Sequence, residues 1–217
     1  MNESSPHEGA STAPQSYTGR QVLLRPIGQQ DYALLLGWRT ELRDLHMWSS
    51  SSRRIPTLEE FSNEMDTMLH QCITMLVTNT ETGEPIGFVQ AYNVNREEGW
   101  CFFLAYFPPE YRQQRNGAEA AIAFFDYLFR NFNFRKIYMD VQEFNSDFLS
   151  AGVELGGFVE EGRFRQHTYY DGRYWDVTRL ALYRDSWDEL RELAMRVLVV
   201  GEDVAEVFAG REKVSQP

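Results

Sequence analysis

Apolar positions recur along this chain in two periods, and the boundaries between them outline an α/β fold. After a polar, aperiodic stretch over 1–17 that reads as a disordered tail, Gln21-Val22-Leu23-Leu24-Arg25 has the pattern of a first strand. Asp31 precedes Leu34, Leu35 and Trp38 at helical spacing and predicts a short capped helix; a second short helical piece is expected over Leu42–Trp48. Thr57-Leu58-Glu59-Glu60 is a capping box ahead of Phe61, Met65, Met68 and Leu69, which share one helical face. Three strand-like runs follow, Ile73–Thr78, Ile86–Val94 and Trp100–Phe107. Their short connections predict an antiparallel meander, and Pro108-Pro109 stops its third strand.

From about Gly117 the period returns to helical, with Ile122, Phe125, Leu128, Phe129 and Phe132 on one side. Lys136–Val141 is again strand-like, and a strand–helix–strand crossover of this length makes the flanking strands parallel. Ser146–Leu155 suits a helix ended by Gly156-Gly157. Phe158 begins another strand, and Asp171-Gly172 joins Phe164–Tyr170 to Tyr174–Leu182 as a hairpin. Ser186-Trp187-Asp188-Glu189 reads as a second capping box, opening a C-terminal helix through Leu190, Leu193 and Val197 that Gly201 interrupts before a short piece toward Phe208. The expected organisation is a tail over 1–17, one α/β domain over 18–184 and a helical extension over 185–217.

Between strand and helix lies Pro108-Pro109-Glu110-Tyr111-Arg112-Gln113-Gln114-Arg115-Asn116-Gly117-Ala118. A strand end, a polar loop and a helix N-terminus make an anion site, because the first helical N–H groups lack partners and carry the positive end of the helix dipole. Arg112 and Arg115 add charges that suit phosphate. The pattern therefore points to a phosphate-bearing cofactor.

A net charge of −11 argues against binding nucleic-acid backbones or anionic membranes, and favours cationic partners such as amines. The two cysteines, Cys72 and Cys101, lie in apolar runs and form neither a disulfide framework nor a zinc pattern. Without an apolar leader or a run of membrane-spanning length, a cytoplasmic location is expected.

In order and spacing, Leu23-Leu24-Arg25-Pro26, Trp38-Arg39, Ile86-Gly87, Pro109-Glu110-Tyr111-Arg112, Gly117-Ala118-Glu119-Ala120, Asn145, Gly157-Phe158 and the run 171–177 form one set. With them the chain resembles the GNAT acyltransferase superfamily from about Gln21 to Tyr183, in particular the branch with ribosomal-protein N-terminal acetyltransferases and amino-sugar acetyltransferases. The resemblance implies a GNAT-like mixed, largely antiparallel sheet with splayed parallel strands, flanked by helices. It also implies acetyl-CoA or another acyl-CoA as co-substrate, without a metal. Carried over position by position, it implies cofactor contacts at Ala105, Phe107, Arg112, Gln113, Gln114, Arg115, Asn116, Gly117, Ala118 and Asn145, the strand residues pairing with the pantetheine arm. It places Trp38, Arg39, His46, Tyr92 and Trp100 on the acceptor side. Asn145 also suits a helix cap.

This chain departs from the family pattern in three places. Arg115 replaces the first glycine of the cofactor loop, at a cost of about 1 kcal/mol if φ there is positive. Either its side chain points outward and pairs with a phosphate, which we favour, or the loop is distorted. The helix tyrosine that serves relatives as general acid is missing, and Ser150 is a weak substitute; the spacing from Asn145 to Gly157 is one residue longer than expected. The strand carboxylate of other relatives is replaced by Trp100-Cys101-Phe102-Phe103, which leaves Glu98, in the preceding turn, as first candidate base. The expected activity is transfer of an acetyl group to a primary amine of a small metabolite, an amino sugar or similar, or of a protein N-terminus, by direct attack in a ternary complex. A catalytically degenerate binding or scaffold protein on the same fold is the alternative, and a homodimer is left open.

Overall fold

The computed structural model describes residues 17–18, 20–41, 54–112, 115–145 and 156–203. The segments expected to be helical over 42–48 and 146–155, and the piece toward Phe208, lie outside them. Eight strands form one sheet: β1 (Tyr17–Thr18), β2 (Val22–Pro26), β3 (Ile73–Asn79), β4 (Pro85–Asn95), β5 (Trp100–Tyr106), β6 (Lys136–Gln142), β7 (Phe158–Tyr170) and β8 (Arg173–Tyr183). Their order is β1-β2-β3-β4-β5-β6-β8-β7. Only β5 and β6 pair in parallel.

The sheet is mixed because a helix, α3 (Asn116–Asn131), connects β5 to β6 and returns the chain to the same edge. Helix α3 buries Ile122, Phe124, Phe125, Leu128 and Phe129 against one face of the sheet. Helices α1 (Tyr32–Thr40) and α2 (Leu58–Gln71) cover part of the other face, where Tyr32, Leu35, Phe61 and Met65 meet Leu76, Phe88 and Tyr106. Alternation along β5 feeds both layers, Cys101 and Phe103 toward α3 and Leu104 and Tyr106 toward α1 and α2. Helix α4 (Arg184–Ala194) and the π-helical turn Met195–Val200 pack onto α3 through Trp187, Leu190, Leu193 and Val199. No described helix is long and apolar enough to cross a membrane.

The Thr57 capping box forms, its hydroxyl accepting from Glu60 N–H while Glu60 accepts from Thr57 N–H. Two other expected caps do not. Helix α4 starts at Arg184, two residues before Ser186, whose hydroxyl donates back to the Tyr183 carbonyl. Arg184 itself starts the helix, because its guanidinium donates to the carbonyls of Phe129, Phe132 and Phe134 at the end of α3. Asp31 ends a 3-10 turn and caps nothing ahead of it; its carboxylate accepts from Gly28 N–H and from Arg25. The Asp171-Gly172 hairpin forms as expected, with positive φ at both residues.

Candidate active site

The site begins with a break in the sheet. β5 and β6 pair at Trp100↔Lys136, Cys101↔Ile137 and Phe102↔Tyr138, and no further. Beyond that point β5 keeps its partner β4 up to Phe88↔Tyr106, and β6 keeps β8 up to Gln142↔Val177. Two half-sheets thus diverge from Phe102 and Tyr138, leaving a fork across which β5, with Ala105, and β6 no longer pair with each other. An extended ligand arm can bond to such edges as a strand would.

At the open end of the fork, Phe107 and Pro108 lead into a 3-10 turn (Pro109–Tyr111) and then to the start of α3. Gly87 lets β4 pass under this corner, since a Cβ there would run into the Tyr106 carbonyl and the Phe107 ring. Arg112 reaches back, its Nε donating to the Phe107 carbonyl at 2.8 Å. Asn116 and Gly117 are buried and Ala118 half-buried, so this part of the helix start is packed rather than frayed. Glu119, only 1% exposed, accepts from the backbone N–H groups of Arg20 and Gln21 and ties α3 to the entry of β2. Gln113 and Gln114 lie outside the described residues.

Arg115 corrects the expectation for its position. Its φ of −63° and ψ of −12° are right-handed helical, so a side chain here carries no conformational cost relative to glycine. The guanidinium does not point outward: its Nη1 donates to the carbonyls of Val199 and Val200, at 3.1 and 2.7 Å. Asn145 is exposed in the turn after β6, at the same end of the sheet as the loop after β5, and its neighbour Phe144 packs on Tyr170 and Trp175.

The fork opens, on the α1/α2 side, onto an aromatic and charged surface. Tyr92, Phe102 and Tyr138 stand side by side across β4, β5 and β6, with ring centroids 5.5 and 5.1 Å apart, and Trp100 meets Phe102 and Tyr138 edge-on. In the next row Asp140 of β6 holds Arg179 of β8 through two bonds of 2.8 Å. The Arg179 guanidinium also lies 4.7 Å from the Phe102 ring centre and 5.0 Å from that of Phe164. Burial, reinforced by the Asp140 charge, pushes the Tyr92 phenol up to about 12. Tyr92 therefore stays protonated at neutral pH and is a hydrogen-bond donor there.

Of the expected acceptor-side residues, Tyr92 and Trp100 thus meet at the fork. Trp38 lies one ring away, 6.0 Å from Tyr106, and Arg39 is committed elsewhere, paired with Glu64 and lying over Phe61. His46 and Ser150 lie outside the described residues. Glu98 is not brought to the fork. It is exposed in the turn at the opposite end of β5 from Phe107. There its N–H donates to Asn95 and its carbonyl accepts from Arg135. Asp140 and Arg179 went unnoticed in the sequence. The available signal was one acid inside the apolar strand Lys136–Gln142, but its partner lies 39 residues away.

Burial raises the Cys101 thiol to about 12, which makes it a core residue rather than a nucleophile. Among the described residues no group of His, Cys, Asp or Glu is arranged to hold a metal ion.

Comparison with known proteins agrees with this geometry. Residues 21–156 match the family described as acetyltransferase (GNAT) domain. The chain is 22% identical over 170 residues to the spermidine N(1)-acetyltransferase of Escherichia coli (strain K12), an alignment covering 78% of this chain and 90% of that protein. Among solved structures, the spermidine N-acetyltransferase of Vibrio cholerae in complex with CoA and spermine superimposes with a TM-score of 0.70 at 22% identity, over 78% of this chain and 99% of that one. The Vibrio cholerae spermidine/spermine N-acetyltransferase in complex with manganese ions gives 0.67 at 21% identity, over 78% and 96%. With the family matched over 21–156 and a fork open between β5 and β6, the chain belongs to the GNAT family and is an N-acetyltransferase that uses acetyl-CoA.

Proposed function

We propose that this enzyme acetylates a primary amine of a small cationic acceptor, with polyamines as the leading class. The observation that carries this reading is the fork, whose closed base carries the aromatic rings of Tyr92, Trp100, Phe102 and Tyr138, with the Asp140–Arg179 pair one row further toward its mouth. Aromatic faces suit alkylammonium chains, and the chain's net charge of −11 draws polycations toward it. The relatives named as spermidine acetyltransferases point to the same class.

The thioester of bound acetyl-CoA supplies an activated acyl carbon and a good leaving group. In this reading the N–H groups at the start of α3, with Arg112, bind its pyrophosphate. The backbone of β5 past its last bridge to β6 would hold the pantetheine arm and offer an N–H to the developing oxyanion. Tyr92 donates from the acceptor side. Asp140 is the described carboxylate at the fork, and Arg179 occupies both its oxygens, so the pair orients the surface rather than serving as base. The amine then loses its proton to solvent in the fork, and much of the acceleration comes from alignment.

Release of the CoA thiol can be followed with acetyl-CoA and a panel of spermidine, spermine, glucosamine and a peptide with a free N-terminus. We expect turnover with the polyamines, at a kcat/KM that climbs with pH along the amine's own ionisation. Glu98→Gln should leave it within about twofold, since Glu98 is exposed in the turn before β5, at the opposite end of the strand from Phe107. Tight CoA binding without turnover on any amine would sink the reading and favour a degenerate binding protein.

A further inference from the structure

The C-terminal segment beyond α4 reaches the cofactor loop, and one side chain makes the connection. The π-helical turn Met195–Val200 ends at Gly201, whose φ of 86° is left-handed and whose N–H donates to the Arg196 carbonyl at 3.0 Å. Arg115 Nη1 bonds the carbonyls of Val199 and Val200, adding a charged donor where a helix end leaves acceptors over. Val199 is buried in the main core, so the docking point is firm.

On the other side, Arg115 is the residue immediately before α3, and its carbonyl accepts from Glu119 N–H at 3.1 Å. The first turn of α3 is therefore held twice: by the Glu119 carboxylate on the backbone of Arg20 and Gln21, and by the Arg115 side chain on the C-terminal segment. Gly201 fits closely against this contact, since a Cβ added there would collide with the Arg115 guanidinium.

We propose that Arg115 is a positioning residue for the cofactor: by docking on the carbonyls of Val199 and Val200 it fixes the first turn of α3, and makes the C-terminal segment a structural part of the cofactor site. The proposal rests on the reading that the pyrophosphate of acetyl-CoA sits at the start of α3. It accounts for an arginine where the resembling family has glycine. Here the guanidinium is spent on the Val199 and Val200 carbonyls.

Two substitutions attack the contact from opposite ends. Arg115→Ala removes the donor, and Gly201→Ala displaces it without altering the loop. Calorimetric titration of each full-length variant with CoA, and KM for acetyl-CoA against KM for the amine, are the readouts. Each variant should weaken CoA binding about tenfold, the worth of a charged hydrogen bond, with the KM of the amine within about twofold. The double variant should lose no more than either alone, and Arg115→Lys should recover part of the loss.

If Arg115 instead swings out to bind phosphate, Gly201→Ala would leave CoA binding unchanged or tighter while Arg115→Ala weakens it. That pattern, or unchanged binding in both, overturns the proposal. A wild-type protein that binds no CoA would overturn the underlying reading together with it. If Gly201→Ala fails to fold, amide hydrogen exchange over Met195–Val200 without CoA decides: Arg115→Ala should speed it if the arginine docks there, and unchanged exchange overturns the proposal.

Discussion

A single carboxylate, Glu119, illustrates how much one residue holds together. It is buried, and its acceptors satisfy two backbone N–H groups at the entry of β2. Glu119→Ala leaves those donors without a partner inside the protein, at a cost of about 2–3 kcal/mol. Denaturant unfolding should show a lower midpoint at an unchanged slope, and Glu119→Gln, which keeps an acceptor, should cost less. In the sequence Glu119 reads only as part of a loop-to-helix motif, because the donors it serves lie 98 and 99 residues away. Arg115 is similar: its place before α3 was legible, but where its guanidinium goes depends on Val199 and Val200.

Among the elements, the corner of β4 and β5 is the most tightly built. Gly87 pairs with Val77 and lies beneath Tyr106 and Phe107, with no room for a methyl group. Gly87→Ala should push β5 outward at the mouth of the fork, lower the thermal midpoint by several degrees for about 1–3 kcal/mol lost, and raise the KM for acetyl-CoA. A stable variant with unchanged KM would show that the corner tolerates the shift. At this scale most of the fold was legible. Strand alternation, the Thr57 capping box and the Asp171-Gly172 turn are local signals, and the elements they predict form. The Asp31 cap failed because Arg25 and Gly28 N–H take its carboxylate, and the Ser186 cap because the helix already begins at Arg184, where the Ser186 hydroxyl donates to the Tyr183 carbonyl.

For the whole molecule, pH reports on groups spread over both layers. The phenols of Tyr92 and Tyr32 are raised to about 12, first by burial and then by nearby Asp140 and Asp66 respectively. Burial alone lowers Lys136, but its bonds to Tyr138 and Glu161 outweigh that and leave it raised. Each binds its proton more tightly folded than unfolded. Their contributions are complete below about pH 10, the ordinary tyrosine and lysine range, and the two tyrosine contributions are lost as pH rises through 12. Stability should therefore fall on the alkaline side, with Tyr92 alone accounting for on the order of 1 kcal/mol by pH 11. Thermal midpoints measured from pH 8 to 11 should fall less steeply for Tyr92→Phe than for wild type, and parallel curves would refute this assignment.

By itself the sequence determined most of the described elements, their order and the parallel crossover, because each is encoded in residues within a few positions of one another. Only the tertiary structure decided where β5 and β6 part, that Asp140 meets Arg179 under Phe102 and Phe164, that Glu98 stands away from the fork, and that Arg115 serves the C-terminal segment. These depend on strand register and on side chains from distant elements meeting in space. Periodicity indicates which face a residue takes, but not which partner waits on that face.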